Sequence, residues 1–165
     1  RVPKDNLLGD AGAGGEQFHR GIESSRAFVG IQAVGIARHG LDIALAYAKE
    51  RTAFGRPLAK FQGVQMAIAK IAEKTEAARW LVYRLGYLAE TLKDPRAFAK
   101  EAALTKTFVT EAAVDVSRLA MAVHGSYGLM EDYAVARIYR DMIIGEQVEG
   151  VADLQRVITA SLLLG

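Results

Sequence analysis

Residues 47–62 read YAKERTAFGRPLAKFQ, and this segment separates two long helical patterns. On both sides of it, apolar residues recur at the spacing of one face of an α-helix. Gly55 and Pro57 fit poorly inside a helix, so we expect the first helix, from about Ile22 to Arg51, to end here. The two apolar faces are Phe28, Ile31, Val34, Leu41, Leu45 and Ala48 in the first helix, and Val64, Ile68, Ile71, Ala78, Leu81, Leu85, Leu88 and Leu92 in the second.

A third long helix is predicted to start at Asp94 and Pro95. Aspartate is a favoured N-cap, and proline suits the first helical position because its missing N–H would be unpaired there anyway. The helix should stop at the glycine-containing residues 124–128. Its apolar face is formed by Phe98, Ala102, Thr105, Val109, Ala112, Val116, Leu119 and Val123.

The last part of the chain predicts a shorter helix from about Glu131 to Asp141 and a final helix that begins near Val151. Gly145 and Gly150 bracket a loop between them. The apolar residues of the final helix that we expect to pack are Leu154, Ile158 and Leu162. Long helices with short connections pack as antiparallel neighbours, so the predicted fold is all-α, an up-and-down four-helix bundle.

The first 21 residues differ from the rest of the chain. Glycines at positions 9, 12, 14 and 15 favour turns and extended backbone. We therefore expect residues 1–21 to be the tail of a preceding β-domain with a linker, and residues 22–165 to be a helical-bundle domain. The first residues lack both the apolar segment of a signal peptide and an initiator methionine, as in a fragment of a longer protein.

Composition narrows the classes of function. The 21 basic and 19 acidic residues alternate along the chain and leave a net charge of +2, which is a solvated surface rather than a nucleic-acid footprint. The chain has no cysteine, so disulfides and thiolate metal sites are excluded, and its three histidines are far apart. No apolar run approaches the roughly 18 residues of a spanning helix. We expect no metal site, no nucleic-acid partner and no membrane span.

Five motifs resemble those of the flavin-dependent acyl-CoA dehydrogenase family, in order and with matching spacing. Residues 47–62 resemble the motif Y-x-x-x-R-x-x-F-G-x-x-L followed by F-Q. Residues 34–37, preceded by residues 21–26, match its upstream partner, and residues 124–128 match a glycine-rich turn. Residues 137–141 match R-x-Y-R-D, and residues 149–156 match the closing E-G-x-x-x-I-Q-R. The resemblance covers essentially the whole chain.

This resemblance implies the C-terminal domain of a three-domain enzyme. An N-terminal helical domain and a central β-domain that holds the flavin ring would complete it. The chain alone would then be inactive and would bind FAD weakly. The implied partners are an acyl-CoA substrate, an electron-transfer flavoprotein or similar acceptor, and further copies of the chain in a dimer or tetramer. The implied location is the bacterial cytoplasm or the mitochondrial matrix.

Glu149 is the catalytic base that the resemblance implies. In this family the base removes the α-proton of an acyl-CoA thioester while hydride leaves the β-carbon for FAD, giving a trans-2-enoyl-CoA. The Glu149 N–H would be one donor to the thioester oxygen, and fixed donors of this kind meet charge as it develops. Apolar neighbours, here Val148 and Val151, suit a carboxylate that must accept a proton. Some relatives place the base on the first helix, where this chain has Ser25, which cannot serve.

The resemblance also implies ligands for FAD and the substrate. Arg51, Phe54 and Gln62 would contact the FAD of a neighbouring subunit, the guanidinium on the pyrophosphate. Further implied FAD contacts are Gly125, Gly128, Val151 and Asp153. The implied substrate contacts are Glu23, Arg26 and Gly150. Four positions depart from the family pattern, namely Ala122, Ser126, Val148 and Val151, and these departures bear on cofactor affinity and substrate class.

Simpler interpretations exist for the same residues, and other functions stay open. Glu149 could be a glutamate favoured by a helix N-terminus, and Arg51 a cation at a helix C-terminus. An acyl-CoA oxidase on the same fold, reoxidised by oxygen, is the first alternative function. A non-catalytic, degenerate bundle subunit is the second, although the joint presence of Arg51, Phe54, Gln62 and Glu149 argues against it.

Overall fold

The computed structural model describes residues 2–165, which form a bundle of five α-helices. Helix α3 is central and packs against each of the other four. The predicted all-α bundle is confirmed, with three long helices and the shorter α5 as its fourth member. The helices are α1 (Gly14–Glu50), α2 (Gln62–Thr91), α3 (Pro95–His124), α4 (Ala134–Ile143) and α5 (Ala152–Leu164).

Helix α1 begins at Gly14, well before the predicted start near Ile22. The predicted turns are confirmed at Gly9 and Gly12, whose φ angles of 71° and 92° are left-handed. Gly14 and Gly15, by contrast, are the first residues of the helix. The division between residues 21 and 22 falls inside α1, and the assignment of a preceding domain stays a prediction.

The buried face of α1 consists of small residues rather than the large apolar residues that periodicity suggested. Phe28 and Ile31 of the predicted apolar face are 68% and 44% exposed, so these two residues lie outside the core. Helix packing explains the difference, because a Cβ at Gly40 would lie 3.2 Å from Val116 Cγ1 and one at Gly30 would lie 3.1 Å from Val82 Cγ2. The buried apolar residues of this face are Val29, Ala33, Val34, Ala37, Ala44 and Ala48.

The predicted break after α1 is a tight hairpin. Strands β1 (Thr52–Ala53) and β2 (Arg56–Pro57) pair antiparallel around a two-residue turn. Phe54 and Gly55 have φ angles of 49° and 79°, and left-handed values at both turn residues are typical of a type I′ hairpin. The predicted N-cap is also confirmed, since the Asp94 carboxylate accepts a 2.9 Å hydrogen bond from the Arg96 N–H.

The C-terminal helices differ from the prediction in detail. Helix α4 starts at Ala134 rather than near Glu131, whereas α5 starts beside Val151 as expected. Leu154 is 51% exposed and Gln155 is fully buried, so the predicted packing of Leu154 was wrong. Gln155 faces inward instead of Leu154, because its side-chain amide donates a hydrogen bond to the Glu149 carbonyl oxygen in the preceding loop.

Helix α1 is also long and apolar enough, by length and composition alone, to cross a membrane. Its small-residue face packs against α2 and α3, as expected for a core helix of a bundle.

Candidate functional site

Glu149 lies in the loop between α4 and α5, and its backbone is left-handed. The φ angles are 56° at Glu149 and 97° at Gly150. For a residue with a side chain this conformation costs roughly 1–2 kcal/mol, and such strain persists only where the surroundings enforce it. Glu149 is half-buried, and its neighbours Val148 and Val151 are 37% and 44% exposed. The site predicted as apolar is therefore open on one side in this chain.

Side chains from three helices hold the backbone of this loop. Lys106 of α3 donates to the carbonyl oxygens of Glu146 and Gly150, at 3.1 Å and 2.9 Å. Gln155 Nε2 of α5 donates to the Glu149 carbonyl oxygen at 3.0 Å. Arg26 Nε of α1 approaches the same oxygen at 3.5 Å. The conformation of Glu149 is thus fixed by the bundle and not by the loop alone.

Two of these groups are buried cations. Lys106 is 0% exposed and Arg26 is 7% exposed. Burial lowers the pKa of Lys106, and the positive charge of Arg26 lowers it further. Burial likewise lowers the pKa of Arg26, while the carboxylates of Glu23 and Glu149 oppose that shift. The positive charges of Lys106 and Arg26 therefore lie on the side of the loop that faces the helix bundle.

The burial of Arg26 bears on its predicted contact with CoA. Its guanidinium lies against the Glu149 loop, which favours a role in supporting the loop. Glu23 is half-buried one turn earlier on α1 and lines, with Arg26, a cavity of about 460 Å³ between α1, α3 and α5. Contact of either residue with CoA stays a prediction.

Sequence reasoning missed Lys106 and gave no role to Gln155. The only sequence signal for Lys106 is a charged residue between Thr105 and Thr107, on a face where the neighbouring turns are apolar. Gln155 is part of the closing motif, but the spacing of apolar residues in the final helix did not predict that Gln155 faces inward. Its Oε1 atom is buried without a hydrogen-bond partner among residues 2–165.

Arg51, Gly125 and Gly128 come together at the far end of α1. The Arg51 guanidinium lies 5.1 Å from the centre of the Tyr127 ring, in the turn that contains both glycines. Beside it is a cleft of about 270 Å³, which Arg51 lines with Tyr47, Glu50, Thr52 and Tyr133. A Cβ at Gly128 would lie 2.6 Å from the Met121 carbonyl oxygen, so glycine is required there.

The hairpin presents an aromatic ring to solvent. Phe54 at its tip is 96% exposed, and only one edge contacts Phe61, with ring centres 6.3 Å apart. Gln62 is exposed at the start of α2. An exposed guanidinium, a free aromatic face and a free amide suit the pyrophosphate and ring systems of FAD. The donor chemistry of this end of the chain therefore fits the implied cofactor.

The two groups of candidate residues lie far apart along α1, one beside Arg26 and the other at the C-terminal end of the helix. At the helical rise of about 1.5 Å per residue, Arg26 and Arg51 are separated by about 37 Å. Val151 and Asp153 lie with Glu149, and Asp153 is exposed and paired with Arg156 at 3.0 Å. The structure does not bring all predicted FAD contacts of one chain to one place.

No group of three or more potential metal ligands occurs in the part of the chain that the structure describes.

The backbone conformation at Gly150 predicts that adding a methyl group there lowers the stability of the fold. A Cβ at Gly150 would lie 2.2 Å from Gln155 Nε2, and the φ of 97° is unfavourable for alanine. Gly150→Ala should therefore lower the free energy of unfolding by about 2 kcal/mol, measured by denaturant titration followed by circular dichroism. Gly35→Ala is the matched control, because its Cβ would meet nothing within 4 Å and the helix should gain stability. Equal stability of the two variants would contradict the described loop.

Residues 12–164 match the domain family described as acyl-CoA dehydrogenase, C-terminal domain. The acryloyl-CoA reductase (NADH) of Anaerotignum propionicum is 42% identical over 160 residues, which cover 97% of this chain and 40% of that protein. The chain thus spans about two fifths of the length of such relatives.

Two solved structures share the fold over nearly the whole chain. Butyryl-CoA dehydrogenase from Megasphaera elsdenii superposes with a TM-score of 0.93 at 36% identity, covering 99% of this chain and 42% of that one. An acyl-CoA dehydrogenase complexed with FAD from Bacillus anthracis gives a TM-score of 0.90 at 32% identity, covering 99% and 31%.

Proposed function

Because the chain belongs to the acyl-CoA dehydrogenase family, as its C-terminal domain, we propose that it supplies the proton-transfer half of a flavoenzyme active site. Glu149 is the base that removes the α-proton of an acyl-CoA thioester. One observation carries this proposal, namely the strained backbone of Glu149 held by side chains from α1, α3 and α5. A structural glutamate at a helix N-terminus needs no such support.

Each part of the loop has a task in the proposed reaction. The Glu149 carboxylate takes the α-proton, and the backbone N–H of Glu149 donates to the thioester oxygen as negative charge develops there. Gly150 allows the backbone to approach the thioester closely. Bound FAD supplies the acceptor for the hydride that leaves the β-carbon.

The same carboxylate can return a proton to the α-carbon in the opposite direction. One of the similar proteins is an acryloyl-CoA reductase, whose name describes the reduction of an enoyl thioester. Reduction of an enoyl-CoA is therefore the second candidate function, and it uses Glu149 in its protonated form as a general acid. The reaction direction then depends on the electron partner.

The distance along α1 supports an oligomer. Arg26 contacts the Glu149 loop and lies roughly 37 Å from Arg51 along α1. One FAD molecule is too short to have its flavin ring beside Glu149 and its pyrophosphate beside Arg51 of the same chain. We propose that Glu149 serves the flavin of its own subunit, whereas Arg51, Phe54 and Gln62 bind the flavin of a neighbouring subunit. The assembly would be a dimer or tetramer in the bacterial cytoplasm or the mitochondrial matrix, reoxidised by an electron-transfer flavoprotein or similar acceptor.

The proposed function is tested on the complete flavoenzyme that contains this chain. The purified protein should carry FAD, and acyl-CoA added without oxygen should bleach the flavin absorbance within seconds, with a trans-2-enoyl-CoA as product. Peroxide formation on admitting oxygen would favour the oxidase. A protein that cannot be loaded with FAD would favour the non-catalytic bundle and contradict the proposal.

A further inference from the structure

Lys106 is a fully buried lysine in the middle of α3, and it pairs with backbone rather than with a carboxylate. It is 0% exposed, and among the ion pairs of residues 2–165 none involves it. Burying an ammonium group is unfavourable unless its protons are accepted by other groups. The acceptors here are two carbonyl oxygens of one loop, at 3.1 Å and 2.9 Å.

Those two carbonyls lie on either side of the left-handed backbone of Glu149. Glu146 precedes Glu149 by three residues and Gly150 follows it, so Lys106 Nζ closes the segment between them. Arg26 and Gln155 both reach the single carbonyl of Glu149, whereas Lys106 alone joins the two ends. Removing the ammonium group leaves both carbonyl oxygens without this donor and frees the segment to relax.

We propose that Lys106 is a positioning residue, which clamps residues 146–150 and thereby directs the Glu149 carboxylate at the substrate. This inference rests on the proposed function of Glu149. A core packing role does not require a charge at this position, because an apolar side chain of similar length would fill the same space between α1, α3 and α5. Displacing a reacting group by about 1 Å can lower a rate by about 10²-fold.

The test uses the complete flavoenzyme with Lys106→Met, which keeps the length of the side chain and removes the donors. We expect flavin bleaching at saturating acyl-CoA to slow by about 10²-fold, while the half-saturating acyl-CoA concentration changes less than about threefold. FAD content should be unchanged. Lys106→Arg, which keeps positively charged donors, should recover part of the lost rate.

A second measurement tests whether Lys106 restrains the loop and does not depend on catalysis. Amide hydrogen exchange of residues 146–151 should be at least about tenfold faster in Lys106→Met than in the unmodified enzyme. Two matched controls should leave both readouts unchanged. Lys74→Met removes a lysine that pairs with Asp115 on the surface of the same bundle, and Ile71→Val weakens the core on α2.

Three results would overturn the inference. The first is a bleaching rate for Lys106→Met within about threefold of the unmodified enzyme. The second is unchanged amide exchange in the loop. The third is failure of both Lys106 variants to give folded protein, which would assign Lys106 to folding. If instead no acyl-CoA bleaches the unmodified enzyme, the proposed function fails, and the exchange measurement still decides whether Lys106 clamps the loop.

Discussion

Glu149→Gln in the complete flavoenzyme is expected to slow anaerobic flavin bleaching by acyl-CoA by on the order of 10³-fold, the scale of a lost general base. Glutamine has nearly the same shape but cannot accept the α-proton. The Glu149 side chain makes no hydrogen bond to another described residue, and the loop is held through main-chain carbonyls. The substitution should therefore leave the loop, FAD content and acyl-CoA binding intact. The measurement is stopped-flow absorbance at saturating substrate.

Glu146→Gln is the matched control for this prediction. Glu146 is a half-buried glutamate of the same loop, three residues earlier, and its hydrogen bond to Lys106 is made by the main-chain carbonyl and not by the carboxylate. Its substitution should change the bleaching rate less than about threefold. Similar losses in both variants would show that any change of charge in the loop impairs the enzyme, and Glu149 would lose its special role.

Arg51→Ala is expected to weaken FAD binding by about 10- to 100-fold, which corresponds to about one lost charge-assisted hydrogen bond. The lower FAD affinity should affect the flavin of the neighbouring subunit rather than that of the subunit that carries the substitution. Arg51 is exposed and its guanidinium contacts only the Tyr127 ring among the described aromatic residues, so its removal should leave the end of the helix folded. Arg38→Ala, which removes an exposed arginine from the middle of α1, is the control for charge. The measurement is FAD retention during dilution and gel filtration.

Mixing these two impaired variants, at an FAD concentration too low to load Arg51→Ala, distinguishes a flavin site shared between subunits from a site within one subunit. When Glu149→Gln and Arg51→Ala subunits refold together, each mixed pair should contain one site with both native residues, and activity should reappear. If Arg51 served its own subunit's flavin, every site in the mixed pair would lack one of the two residues. Mixed oligomers as inactive as their parents would therefore contradict the proposed sharing of sites.

The helices were predictable because their signals are local. The Asp94-Pro95 start depends on a cap and a fixed φ, and the Phe54-Gly55 turn lies where Gly55 and Pro57 disfavour a helix. The inward face of α1 was not predictable from periodicity alone. Glycine and alanine contribute little to a hydrophobic pattern, yet they permit the close packing seen at Gly40. Larger residues such as Phe28 consequently lie outside the core of this chain.

The site was only partly predictable, for a different physical reason. Motif spacing singled out Glu149, Arg51 and the glycine turn as candidates, because motifs depend on residue type and order, and the roles of these residues stay predictions. The contact of Lys106 with the loop joins positions about forty residues apart through tertiary packing. Nothing near Lys106 in the sequence encodes that contact. The left-handed φ of Glu149 was equally hidden, since glutamate has no preference for it.

The role of Glu149 as the base is tested most directly by the distance from its carboxylate to the α-carbon of a bound acyl-CoA analogue. This distance can be measured in a crystal structure of the complete enzyme with FAD and a non-reacting thioester. If Glu149 is the base, a carboxylate oxygen should lie within about 3–3.5 Å of the α-carbon, the spacing of a near-attack geometry. A structure in which Glu149 faces away and another carboxylate occupies that place would contradict this role.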